Sequence, residues 1–104
     1  MSSRPKIRLS RLRDIGWSKW DPIGLLADGE NWEGKPFADE YDGYLLRAAG
    51  MCREGETIEN VARYLVQIET DHMGLSYRRG IEERARSVAL AIQNDDKLWR
   101  EAHE

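Results

Sequence analysis

Cysteine is nearly absent: Cys52 is the only one in 104 residues. No disulfide can close within the chain, and a Cys-rich zinc site or dithiol redox motif is excluded. Histidine is almost as scarce, with only His72 and His103, so any transition-metal site would rest on one histidine and borrowed carboxylates. No apolar run approaches the roughly 18 residues of a membrane span. The start, Met1-Ser2-Ser3-Arg4-Pro5-Lys6, leads into alternating arginine and apolar residues instead of the apolar core of a signal peptide. Internal repeats, low-complexity tracts and domain-splitting linkers are missing, as are a P-loop and a Gly-x-Gly-x-x-Gly pattern. These absences point to a single domain, residues 1–104, in a reducing cytoplasmic compartment, with no membrane partner and no expected cofactor.

What is present suits a small globular protein. Hydrophobic residues make up 40% and charged residues 34%, which argues against wholesale disorder. A chain of this length can bury roughly 60–70% of the surface its unfolded form exposes. The net charge of −3 conceals a strong asymmetry. Residues 1–20 hold six Lys/Arg against one acid, residues 21–75 hold twelve acids against four Lys/Arg, and residues 76–104 are balanced at six each. The basic start, with Arg4, Lys6, Arg8, Arg11 and Arg13, could contact phosphate. The acidic remainder and the lack of a reading-head pattern make nucleic acid a disfavoured partner, and pairing with the acidic middle the better expectation.

Period-2 alternation is nowhere sustained, so the expected fold is all-α: a bundle of about four helices with a long irregular loop after the first. The first helix is expected over Lys6–Ile15, with Leu9, Leu12 and Ile15 on one side and Gly16 ending it. Trp17–Ala38 reads as loop. Asp21-Pro22-Ile23-Gly24 matches a type I turn, and Asp28-Gly29-Glu30-Asn31 and Glu33-Gly34-Lys35-Pro36 continue the irregular stretch. A second helix, Asp39–Glu54, would carry Tyr41, Leu45, Ala48 and Cys52 on one stripe until Gly55 stops it. Thr57 suits the N-cap of a third, whose Ile58, Val61, Leu65, Ile68 and His72 recur at helical spacing before Gly74. Ser76–Gly80 connects to a fourth helix lined by Ile81, Ala85, Val88 and Ile92, with Glu82 and Glu83 in its first turn. Leu98 and Trp99 would extend that helix or form a last turn. Residues 1–5 are expected to form a flexible arm, and residues 95–104 a frayed tail.

Three segments concentrate carboxylates and rings: Trp20-Asp21-Pro22-Ile23-Gly24, Asp39-Glu40-Tyr41-Asp42-Gly43-Tyr44, and Ile68-Glu69-Thr70-Asp71-His72-Met73-Gly74-Leu75. In the second, Asp39 could simply cap a helix. Alternatively Trp20, Asp21, Asp39, Glu40, Tyr41, Asp42 and Tyr44 form an acidic, aromatic face for a partner with a basic surface. In the third, Glu69 and His72 have the Glu-x-x-His spacing of carboxylate-bridged metal sites in helical bundles, although only one copy exists. If a divalent metal binds, its ligands would be Asp39, Asp42, Glu69 and His72. The plainer expectation leaves His72 half-buried on the apolar stripe, Cys52 inert against the core, and Trp17, Trp20 and Trp32 pinning the loop to a small core.

The combination of these segments resembles a family of short bacterial proteins of unknown function that carry WDPIG, DEYDxY and IExxHMGL motifs. The resemblance spans residues 17–75 and implies a small helical cytoplasmic protein, sometimes met near toxin and immunity genes. The loop between the first two motifs is longer here than the family pattern implies. No established activity comes with the resemblance, and the acidic excess over residues 21–75 with its interleaved tyrosines makes a non-catalytic protein-binding module, immunity-like or regulatory, the leading expectation. The alternatives are a metal-dependent enzyme resembling the all-α nucleotide pyrophosphatases and a homodimeric structural subunit.

Overall fold

A computed structural model describes residues 6–27, 29–76, 79–95 and 98–100. The expected arm over residues 1–5, with its Arg4, and the C-terminal His103 lie outside the described residues. The architecture is all-α. It comprises α1 (Leu9–Lys19), α2 (Asp42–Arg53), α3 (Ile58–Gln67) and α4 (Ile81–Asn94), with α3 running directly into a π turn over Ile68–His72. Among the described residues no helix is long and apolar enough to cross a membrane.

α1 starts three residues later than expected and ends four residues later, because Gly16 lies inside it. A Cβ at Gly16 would sit 2.4 Å from Leu45 Cδ1, so the glycine allows α1 to cross close against α2, and does not end the helix. Leu45 is fully buried and has little room to yield. Gly16→Ala is expected to lower stability by about 1–2 kcal/mol in a denaturant melt, because the overpacking exceeds the gain in helix propensity.

α2 starts three residues later than expected. Residues 36–41 instead make successive tight turns, with Glu40 N–H donating to Phe37 O at 2.9 Å and Asp42 N–H to Asp39 O at 3.1 Å. Tyr41, and not Asp39, occupies the N-cap position, with no side-chain cap bond. The reason is tertiary: the Tyr41 ring is pulled into the core, which fixes the backbone just ahead of the helix.

α3 is capped as expected, Thr57 Oγ1 accepting from Asn60 N–H at 3.0 Å, and Gly74 is left-handed at φ +71°. Its last turn is not α-helical. Met73 N–H reaches back five residues to Ile68 O at 2.8 Å, the wide spacing of a π turn. Val61, Leu65 and Glu69 form the buried line, while His72 is exposed. α4 packs chiefly against α3 and begins after left-handed Gly80.

Residues 96–97 and 101–104 of the expected tail lie outside the described residues; the described part, 95 and 98–100, neither extends α4 nor frays. Leu98 is 0% exposed, and Trp99 Nε1 donates to Ile92 O at 3.1 Å. Two short antiparallel strands, β1 (Lys6–Ile7) and β2 (Trp99–Arg100), pair Ile7 with Trp99. Arg8 N–H donates to Leu98 O at 2.9 Å, extending the tie between the two ends. Burying Leu98 and half-burying Trp99 removes apolar surface from water, which outweighs one more exposed helical turn.

Candidate functional site

The three motifs meet in the interior. Trp20 is 3% exposed, Tyr41 0% and Glu69 0%. A continuous ladder of rings runs from Phe37 to Trp17 (centroids 5.4 Å apart), Tyr41 (4.7 Å) and Trp20 (5.4 Å), then edge-on to Tyr44 (6.3 Å) and His72 (5.5 Å). Each such pair contributes about 0.5–1.5 kcal/mol beyond its buried area. The loop is thus pinned by Trp17 and Trp20, whose indoles donate to Ala38 O (3.2 Å) and Glu69 Oε2 (2.8 Å).

Glu69 is the only charged residue fully buried among the described residues. Its Oε1 accepts from Arg84 Nη2 at 3.0 Å, so both carboxylate oxygens are engaged. The π turn contains Glu69, and such turns are frequent at functional positions.

Asp21 organises the loop. It sits at φ +32°, where non-glycine residues are uncommon. Its carboxylate accepts from the N–H groups of Gly24 (3.1 Å), Leu25 (3.0 Å) and Leu26 (3.1 Å) and from the Tyr41 hydroxyl (2.8 Å). Tyr41 Oη also accepts from Ile23 N–H at 3.1 Å. Burial, reinforced by the hydrogen bond to Asp21, pushes the Tyr41 phenol well above its ordinary pKa. The expected turn closes, with Gly24 N–H donating to Asp21 O at 3.0 Å.

These positions correct the expected partner face. Trp20 and Tyr41 are buried, and the Asp21 carboxylate is occupied by the loop's own donors. Asp42 is held by Arg13 through bonds of 2.9 and 2.5 Å, which raise the Arg13 pKa and keep its guanidinium charged. Tyr44 is half-buried, and only Asp39 and Glu40 of the seven remain exposed. The expected metal ligands do not converge either. Asp42 pairs with Arg13 and Glu69 with Arg84, while the π turn carries His72 outward instead of leaving it half-buried. Among the described residues no group of three or more His, Cys, Asp or Glu is placed to hold a metal ion. Of the basic segment, Arg13 pairs with the acidic middle, but Arg11 pairs with Asp95 at 2.7 Å. Cys52 is half-buried, and desolvation raises its thiol pKa, which keeps it in the unreactive form.

An acidic, aromatic concavity does exist, on residues the motifs do not include. A groove of about 550 Å³ opens between the end of α1 and the loop, walled by Trp17, Trp32 and Leu26 and rimmed by Asp14, Glu30 and Glu33. Trp32 Nε1 donates to Asp14 Oδ1 at 2.8 Å, and the Arg13 guanidinium lies 5.4 Å from the Trp32 ring centroid. Glu30 spends one oxygen on Ala27 N–H and the other on Lys35 Nζ, and the bond to Lys35 does most to lower its pKa. Asp14 Oδ2 and the Glu33 carboxylate make no hydrogen bond among the described residues. The Trp32–Asp14 bond joins residues 18 apart, and no local pattern signals it. The crowding of Glu30, Trp32 and Glu33 is the one trace of the groove in the sequence.

No protein-family model, curated protein or solved structure matches the chain.

Proposed function

We propose that this chain is a non-catalytic protein-binding module, immunity-like or regulatory, of the cytoplasmic bacterial family its motifs resemble. It recognises a basic protein by taking a lysine or arginine side chain into the acidic groove beside Trp32. The observation that carries this reading is the meeting, in one concavity, of indole walls with the exposed Asp14 Oδ2 and Glu33 carboxylate, which bond to no other described residue. A cation there gains charge-assisted hydrogen bonds and contact with a ring face together. The excess of acids over residues 21–75 adds a long-range field that speeds encounter and selects for positive partners. The enzyme alternative needs Asp39, Asp42, Glu69 and His72 in one cleft, and the homodimer alternative has no comparable feature behind it.

The test is capture from native lysate by tagged wild type beside Trp32→Ala, Glu33→Lys and an Asp39→Lys, Glu40→Lys double variant, with retained proteins identified by mass spectrometry. A single basic protein held by wild type and by the double variant, and lost by both groove variants, is the expected result. Retention by the groove variants would remove the groove from the account.

A further inference from the structure

A second cavity has the opposite chemistry. It measures about 310 Å³, lies where the Trp20–Gly24 turn faces the start of α4, and is lined by Trp20, Pro22, Ile23, Arg79 and Arg84 together with Asp21. We propose that it is a binding site for a small oxyanion, the carboxylate or phosphate group of a ligand, gripped by Arg84 and Arg79.

The first support is the cost of what stands behind Arg84. Burying a carboxylate completely costs several kcal/mol unless its geometry is well matched, and an apolar residue of similar volume often serves packing equally well. Glu69 nevertheless lies in the core, on the line that Val61 and Leu65 begin, with Trp20 Nε1 on one oxygen and Arg84 Nη2 on the other. The result is an arginine head fixed in place before any ligand arrives, so binding loses less side-chain entropy. A guanidinium has five N–H donors. Glu69 takes one through Nη2, and Arg84 Nε is buried with no partner among the described residues, so the remaining Nη donors are the ones left for a ligand. At 28% exposure the Arg84 side chain still reaches the cavity it lines.

The second support is the disposition of charge. Glu69 is matched by Arg84, and the Asp21 carboxylate is turned to four donors within its own loop. Arg79, exposed on the cavity wall, has no partner among the described residues. The N-terminus of α4, a 14-residue helix entered through Gly80 without a side-chain cap, adds its positive end nearby. The acids Glu82 and Glu83 of that first turn are not among the cavity's lining, and Glu82 lines a different groove between α3 and α4. Trp20, Pro22 and exposed Ile23 supply apolar contact for the body of an organic anion. This site does not depend on the acidic groove, and either can fail without the other.

The experiment titrates inorganic phosphate and, separately, sodium acetate into ¹⁵N-labelled protein at constant ionic strength, following the Trp20 indole and the Ile23 and Gly24 amides. Saturable shifts at these signals, with a dissociation constant of about 1 mM or tighter, are expected for at least one anion. Phosphate alone would identify a phosphoryl ligand, and acetate alone a carboxylate. Arg84→Lys, which keeps the charge but loses the fork, and Arg79→Gln, at an exposed side chain, are each expected to weaken binding about tenfold. Arg79→Gln keeps the test valid if the Arg84 variant fails to fold. No saturable shift with either anion, or affinity unchanged in Arg79→Gln, would overturn the site.

Discussion

Glu69→Ala is expected to be among the most damaging substitutions in the chain, lowering stability by about 3 kcal/mol, the lower end of the cost of breaking a buried ion pair. The lower end applies because Arg84 is 28% exposed and water can reach part of its charge. The Trp20 indole N–H, donating to Glu69 at 2.8 Å, would also lose its acceptor in the interior. For a domain of this size the loss corresponds to a fall of roughly 10–20 °C in Tm. Glu69→Gln, which keeps an acceptor for Trp20, should cost clearly less. Thermal unfolding of both variants checks the ordering, and equal losses would show that the charge on Glu69, and not its packing and its bond to Trp20, carries the effect. A double-mutant cycle with Arg84→Ala should return a coupling of about 1–3 kcal/mol. Additive losses would mean that the pair is incidental.

The second large effect is at Tyr41. Removing a fully buried aromatic ring typically costs about 3–5 kcal/mol, and Tyr41 lies between Trp17 and Trp20 in the ring ladder. Tyr41→Ala is therefore expected to lose that amount in chemical denaturation. Tyr41→Phe keeps the ring but gives up the bonds to Asp21 and Ile23 N–H, and should lose about 1 kcal/mol. The pH dependence separates the two contributions. Folding raises the Tyr41 pKa above its ordinary value of 10.0. The protonated phenol's stabilisation is thus fully present below about pH 10 and lost progressively as pH rises above it. Wild type should lose stability on the alkaline side more steeply than Tyr41→Phe. Identical alkaline profiles would place the phenol outside the core hydrogen bonds assigned to it.

How far the fold was legible follows from which interactions are local. α3 and α4 announce themselves through helical spacing, and Thr57 through its capping chemistry, because those signals act within a few residues. Gly16 misled because a glycine that ends a helix and one that admits a neighbouring helix look alike in sequence, and only the position of Leu45 distinguishes them. Asp39 misled for a similar reason: the start of α2 is set by the burial of Tyr41, not by the best capping residue nearby. The three-residue spacing of Glu69 and His72 suggested a shared face, but the π turn takes them apart, one into the core and one into solvent.

The candidate site was legible in character but not in place. An acidic and aromatic surface was expected on Asp39–Tyr44, yet the core claims Tyr41 and Arg13 claims Asp42. The concavity with that chemistry forms from Trp32 and Glu33 in the loop and Asp14 on α1, segments brought together by tertiary packing. The arginine cavity depends on Glu69 and Arg84, a pair 15 residues apart and on different elements, for which the sequence offers no signal.

The most direct test of the account follows the four tryptophan indole N–H signals by ¹⁵N NMR while the basic partner identified by capture is added. Trp32 borders the acidic groove, whereas Trp20 is tied to Glu69 in the interior. The account expects Trp32 and the Glu30 and Glu33 amides to shift saturably, with Trp20 and the amides of Asp39 and Glu40 unmoved. Shifts centred on Asp39 and Glu40, with Trp32 silent, would contradict it.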